Sequence, residues 1–253
     1  MINSVIYLPH IGTIVHLWIR SCQRSPNKAV TNGGENDMGN AYEAIMEHKI
    51  VAILRGFTAE EVVEMAKAYV ANGIHCIEVT FDQASAEKRL ETVKSIRAIK
   101  EALGDQVSVG AGTVMTVEQV QMAAEAGAEY MISPNVDEEV IKETKRLGKL
   151  SIPGAMTPTE VASAYKMGAD IVKLFPANEV GLSYIKAIKA PLRHIPLMAT
   201  GGVRPSNAAD YIKAGSAAIG VGGNLVNKEW VAAGEFDKIG QAAKEFVDSI
   251  AGC

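Results

Sequence analysis

A lysine stands near the end of the apolar run Ile171-Val-Lys-Leu-Phe175, which Pro176 closes. Such a run reads as a buried strand, and an amine held among Val172, Leu174 and Phe175 loses hydration. That loss disfavours the ammonium form and makes Lys173 a candidate amine nucleophile. A lysine that snorkels its head to the rim of a sheet or barrel is the competing reading of the same stretch. Three other residues qualify by type. Arg55 follows IVAIL and carries a fork that can hold a carboxylate, and Glu78 lies within HCIEVTF and can move protons. Thr113 follows Gly110-Ala-Gly112 and has a hydroxyl that can orient a carbonyl or carboxylate. Taken singly, each has an ordinary explanation. Arg55 could end a strand in solvent or pair with Glu78, Glu78 could lie on an exposed strand face, and Thr113 and Thr80 could be no more than β-formers. Only a fold that gathers the four gives them a shared chemistry, in which an unprotonated lysine attacks a ketone beside an anchored carboxylate.

The elements that would gather them alternate. Ala41 to His48 reads as a short amphipathic helix, and IVAIL (50–54) as the first strand. Thr58 with Glu61 three residues on opens a helix that Asn72-Gly73 stops. The same cycle recurs with strands at 75–81, 107–112, 130–133, 150–153, 170–175, 197–200 and 217–221. Helices are expected at 85–103, 117–126, 137–147, 157–167, from about Leu182, at 205–214 and at 236–250. Gly73, Gly127, Gly148, Gly168 and Gly215 fall just past periodic segments, where C′ residues belong. Eight β/α repeats with short loops predict an α/β fold, a (β/α)8 TIM barrel with an N-terminal capping helix, as a single domain over 38–253. Chemistry then belongs at the C-terminal ends of the strands, which carry Arg55, Glu78, Thr113 and Lys173. Residues 1–37 differ in texture: they are expected to be a flexible leader or an over-extended start, with Met38 as the functional first residue.

The glycines after strands seven and eight form a second signal. Gly201-Gly202 and Gly222-Gly223 free backbone N–H groups ahead of helices, where barrels of this kind bind phosphate or another anion, although glycine pairs are also ordinary turn residues.

Other classes are set aside on composition and spacing. A net charge of −4 gives no basic field for nucleic acid. Met1 to Trp18 is too short and too broken by Pro9, His10 and Gly12 to span a membrane. Three scattered cysteines, without CxxC spacing, fit a reducing compartment, the cytoplasm by default. GAGTVM (110–115) and GVGGNL (220–225) lack the third glycine of a dinucleotide fingerprint, so no cofactor is expected. The histidines show neither HxH nor HExxH spacing, so no metal is expected, and no GxSxG elbow marks a serine hydrolase.

The segments VAILRG (51–56), IEVTF (77–81), GAGTV (110–114), ISPN (132–135), IPG (152–154), VKLFPA (172–177), TGGV (200–203) and GVGGNLV (220–226) resemble, in this order and spacing, the KDPG/KHG aldolase family. These are class I aldolases acting on 2-keto-3-deoxy-6-phosphogluconate and 4-hydroxy-2-oxoglutarate. The resemblance covers about residues 40–250 and implies a homotrimer, with a 2-keto acid substrate and pyruvate as its ligands. It places the Schiff-base lysine on Lys173 and the catalytic glutamate on Glu78. Thr113 matches the threonine on the pyruvate side, Pro134 and Phe175 match pocket-lining residues, and Arg55 matches an arginine that helps bind the substrate carboxylate. There are two departures. Some members have an arginine four residues after the glutamate, where this chain has Asp82, and many have a serine in the phosphate loop, where this chain has Gly223. The second makes a shorter or non-phosphorylated 2-keto substrate more credible, although backbone donors could still hold a phosphate.

The expected reaction is imine formation at Lys173, followed by C3–C4 cleavage assisted by Glu78 to give an aldehyde and pyruvate. Two rivals remain open on sequence: a non-covalent sugar-phosphate isomerase or epimerase using Glu78 or Asp82 as base, and a non-catalytic barrel that binds a keto acid or phosphate.

Overall fold

The computed structural model describes residues 37–253. The expected leader over 1–37 lies outside the described residues but for Asp37, which begins helix α1 (Asp37–His48) four residues before the predicted Ala41.

Strands β1 (Ile50–Leu54), β2 (Cys76–Thr80), β3 (Ser108–Gly112) and β4 (Tyr130–Ile132) alternate with helices α2 (Ala59–Val70), α3 (Ala86–Leu103), α4 (Val117–Glu125) and α5 (Glu138–Arg146). Then come β5 (Leu150–Ile152), β6 (Gly154–Ala155), α6 (Pro158–Met167), β7 (Val172–Leu174), α7 (Ala177–Lys189), β8 (Leu197–Thr200), α8 (Pro205–Lys213) and β9 (Ala218–Val221), followed by α9 (Lys228–Ala232) and α10 (Phe236–Ile250). Local chemistry sets the boundaries. Thr58 and Thr157 each form a capping box with the glutamate three residues on, and Ser85, Thr116 and Asp137 accept from backbone N–H groups at the starts of α3, α4 and α5. The five glycines predicted to end helices all have positive φ, between 70° and 114°.

All strand pairings are parallel, in the order β5-β4-β3-β2-β1-β9-β8-β7-β6. The predicted fifth strand (150–153) ends at Ile152, since Pro153 has no N–H to give to a ladder, and a further segment, β6, follows at Gly154. β5 pairs with β4 and β6 pairs with β7, while the carbonyl of Pro153 accepts from Lys173 N at 2.9 Å, so the split strand closes the barrel beside Lys173. Eight β/α repeats are thus present in nine strand segments.

The interior is layered. Strand residues alternate between the barrel axis and the helices. Val51, Cys76, Tyr130, Leu150, Ile171, Met198 and Ala218 form an apolar cluster with Ala41 and Ile45 of α1, which caps one end of the barrel. Two residues further along the strands lie Ile53, Glu78, Lys173, Thr200 and Gly220, which form the next layer up, toward the strands' C-terminal ends. The larger core lies between the sheet and the outer helices and includes Ile77, Val79, Ile96, Ile99 and Phe246.

The expected strand at 170–175 is the shorter Val172–Leu174, and two later helices also differ from expectation. α7 begins at Ala177, directly after Pro176, rather than near Leu182; Gly181, at φ 77°, breaks it internally, which hides the first turn from a periodicity reading. The five-residue α9 has no predicted counterpart because its length is below one amphipathic repeat. Among the described residues no helix is long and apolar enough to cross a membrane.

Candidate active site

Glu78 is central to the upper layer. Its residue is 1% exposed, and its Oε2 has no hydrogen-bond partner. Room for the carboxylate comes from the neighbouring strand: a Cβ on Gly112 would overlap Glu78 Oε1, and one on Gly110 would overlap the ring of Tyr130. Tyr130 in turn donates to the carbonyl of Ile77 at 2.7 Å. Burial pushes the Glu78 carboxyl above its ordinary 4.5, while the charges of Lys173 and Arg55 pull it down by less. A buried carboxyl so placed can hold and release a proton nearer neutrality than an exposed one.

Lys173 is 7% exposed, among the apolar residues that the sequence puts around it. Its strand register sets it opposite Gly154, and its Nζ lies 5.2 Å from the centroid of the Phe175 ring. The snorkelling alternative fails on this burial. Phe175 itself is 40% exposed and sits at the mouth. Pro134 lies against Gly154: a Cβ there would overlap the Pro134 carbonyl oxygen, so the loop after β4 and strand β6 approach backbone to backbone.

Arg55 and Thr113 are joined directly. Arg55 Nη2 donates to Thr113 Oγ1 at 3.0 Å, and by accepting that bond the hydroxyl keeps its own proton for another acceptor. The rest of the guanidinium fork is open to solvent, so the pair presents several donors at the barrel mouth. Thr113 is held at φ 54°, a conformation that costs a β-branched residue about 1–3 kcal/mol.

The predicted anion loops adjoin this layer. Gly201, Gly202, Gly222 and Gly223 line a cleft of about 170 Å³, of which Ile53 and Thr200 form the inner wall. Gly201 and Gly202 have φ of 109° and 67°, and side chains there would meet Asn178 at the start of α7. A Cβ on Gly223 would meet nothing.

The structure defines two further residues. Thr200 is buried with an unpartnered Oγ1, which packs where a Cβ on Gly220 would be; it belongs to the layer of Glu78 and Lys173 and also lines the glycine cleft. The alternation of LMAT could have found it, since Thr200 is two residues beyond the inward Met198. Asp82 turns away from the role that a base would need. Its carboxylate accepts from Ala84 N at 2.9 Å and pairs with Lys88 at 2.9 Å, and these bonds, the first of them above all, hold it below its ordinary 3.8. Among the described residues no group of three or more His, Cys, Asp or Glu could hold a metal ion.

Comparison with known proteins supplies the family. The model for "KDPG and KHG aldolase" matches residues 42–242. The chain is 38% identical over 177 residues to 2-dehydro-3-deoxy-6-phosphogalactonate aldolase of Escherichia coli (strain K12), covering 70% of this chain and 83% of that one. It is 33% identical over 200 residues to 2-dehydro-3-deoxy-phosphogluconate aldolase of Treponema pallidum (strain Nichols), covering 78% and 91%. Among solved structures, KDPG aldolase from Legionella pneumophila, with pyruvate captured at low pH as a covalent carbinolamine intermediate, superposes with a TM-score of 0.72. That similarity is at 25% identity and covers 81% of this chain and 96% of that one.

Proposed function

This chain belongs to the KDPG and KHG aldolase family, and from that premise we propose that it is a Schiff-base aldolase cleaving a six-carbon 2-keto-3-deoxy-6-phospho sugar acid to pyruvate and glyceraldehyde 3-phosphate. The observation that carries the reading is the pairing of a buried lysine and a buried, half-unpartnered glutamate in one inward layer, beneath a donor pair at the mouth.

Lys173 Nζ adds to the C2 ketone, and loss of water gives a protonated imine. Glu78 serves the proton transfers of that dehydration and takes the C4 hydroxyl proton as the C3–C4 bond breaks, its electron pair passing into the imine. The aldehyde leaves, the enamine is protonated at C3, and hydrolysis frees pyruvate and the lysine. Arg55 and Thr113 hold the carboxylate in register throughout. Pro134 and Phe175 wall the pyruvate end, and backbone donors of Gly201, Gly202, Gly222 and Gly223 receive the phosphate.

Relatives of both the galactonate and the gluconate type support a phosphorylated six-carbon acid, whose C4 configuration is a matter for assay. 4-Hydroxy-2-oxoglutarate, which would yield glyoxylate, is the smaller substrate of the same chemistry. A homotrimer and a cytoplasmic location belong to the same proposal; light scattering tests the first.

Borohydride reduction with pyruvate should leave an adduct that peptide mapping places on Lys173. An unmodified Lys173 in folded protein rejects the imine mechanism and returns the non-covalent isomerase to consideration. Cleavage rates on the two phosphorylated epimers, a non-phosphorylated counterpart and 4-hydroxy-2-oxoglutarate then rank the substrates.

A further inference from the structure

Thr113 is the one β-branched residue among the described residues with positive φ, and its own conformational preference opposes that geometry. Something must hold it. Gln83 Nε2 donates to the carbonyl of Thr113 at 2.8 Å, Gln119 Nε2 donates to Gln83 Oε1 at 2.7 Å, and Met115 N donates to Gln119 Oε1 at 2.7 Å. The chain of bonds starts at a backbone N–H and ends at a backbone carbonyl, so its direction is fixed at both ends. Each primary amide accepts on one side and donates on the other. A carboxylate at either position would set oxygen against oxygen at one link, and an aliphatic side chain would open the chain. Gln119 is buried on α4, whereas Gln83 lies exposed in the β2–α3 loop, so the relay ties the loop after β3 to two neighbouring elements.

We propose that Gln83 and Gln119 are positioning residues, an amide relay that keeps Thr113 in its strained conformation and so keeps its hydroxyl beside Arg55 as a preset clamp for the carboxylate of a 2-keto acid. The inference rests on the role of Arg55 and Thr113 proposed above. Without the relay, Thr113 relaxes to negative φ, and rotation about that bond carries its side chain away from the guanidinium. The clamp would then form only at the expense of ligand binding, so the effect falls on half-saturation rather than on the chemical step.

The test measures borohydride trapping of pyruvate on Lys173 as a function of pyruvate concentration, together with kcat and KM for cleavage. It uses wild type, Gln83→Leu, Gln83→Glu, Gln119→Leu, Thr113→Ala and the double variant Gln83→Leu/Thr113→Ala. Gln83→Leu is expected to raise the half-saturating pyruvate concentration about tenfold, with the trapping plateau and kcat little changed. The double variant should be no worse than Thr113→Ala alone, since the relay acts through Thr113. Relative to wild type at each pH, Gln83→Glu should recover as pH falls and its carboxyl gains a proton to donate, while Gln83→Leu shows no such recovery. Gln119→Leu empties a buried polar position and can fail to fold; the exposed Gln83 variants decide the matter in that case. Wild-type half-saturation in Gln83→Leu, or effects of Gln83→Leu and Thr113→Ala that simply add, overturns the relay alone. Absence of trapping in the wild type overturns the relay and the aldolase mechanism together.

Discussion

Glu78 and Gly112 share one volume: the carboxylate on β2 fills the space that any side chain on Gly112, two residues beyond its register partner Gly110 on β3, would need. The absent Cβ of Gly112 is therefore part of the glutamate's pocket. Gly112→Ala must displace Glu78 or part the strands, at about 1–3 kcal/mol, with loss of cleavage activity. In Gly112→Ala/Glu78→Ala the overlap is gone, and the stability loss should be smaller than the sum of the single losses. Urea denaturation of the four proteins checks this; simple additivity would mean that the two sites do not touch.

Glu78→Gln separates chemistry from stability. The turnover number is expected to fall by about two to four orders of magnitude while pyruvate trapping on Lys173 persists. Stability moves the other way. The folded-state carboxyl lies above its ordinary 4.5, so the wild type is free of any charge-burial cost below that pH and loses stability as pH rises through the folded value. The variant's melting temperature should exceed that of wild type at pH 8, and the gap should close as pH falls toward 4.5. A constant gap across that range would show that Glu78 does not titrate differently in the folded state.

The role proposed for Arg55 depends on its fork. Arg55→Lys retains a charge but neither the planar donor pair nor a fixed bond to Thr113 Oγ1, so KM should rise about tenfold, and Arg55→Ala more. Trapping at saturating pyruvate should be preserved in both. A fall confined to kcat would place Arg55 in the chemical step instead.

Gly223 has open space around it, so a serine fits without repacking and adds a hydroxyl donor to the glycine cleft. Gly223→Ser is expected to lower KM for a 6-phospho substrate about three- to tenfold and to leave the non-phosphorylated counterpart unchanged. Equal effects on both substrates would remove the phosphate from this cleft.

The barrel was legible because each repeat carries local signals: capping threonines, β-branched runs and glycines that stop helices. Glu78 and Lys173 were legible as oddities, ionisable groups inside apolar runs. What resisted a linear reading depends on partners distant in sequence. Pro153 splits a strand only because ladders form on both sides of it, and Gly181 conceals the start of α7. Gln83 and Gln119 look like surface glutamines until 36 residues of separation shrink to one hydrogen bond. Thr200 becomes interesting only when its hydroxyl is seen to lack a partner.

Helix α1, with Ala41 and Ile45 packed into the apolar layer, makes the barrel a single-ended vessel. A ligand for Lys173 would then enter and leave by the opposite end, where Arg55 bonds Thr113 and Phe175 is exposed. In the proposed mechanism the pyruvate half stays bonded to Lys173 after the aldehyde has gone, so it is the last out and blocks the next arrival. In steady-state assays pyruvate should then compete with substrate, whereas the aldehyde, released while the lysine is still occupied, should inhibit noncompetitively.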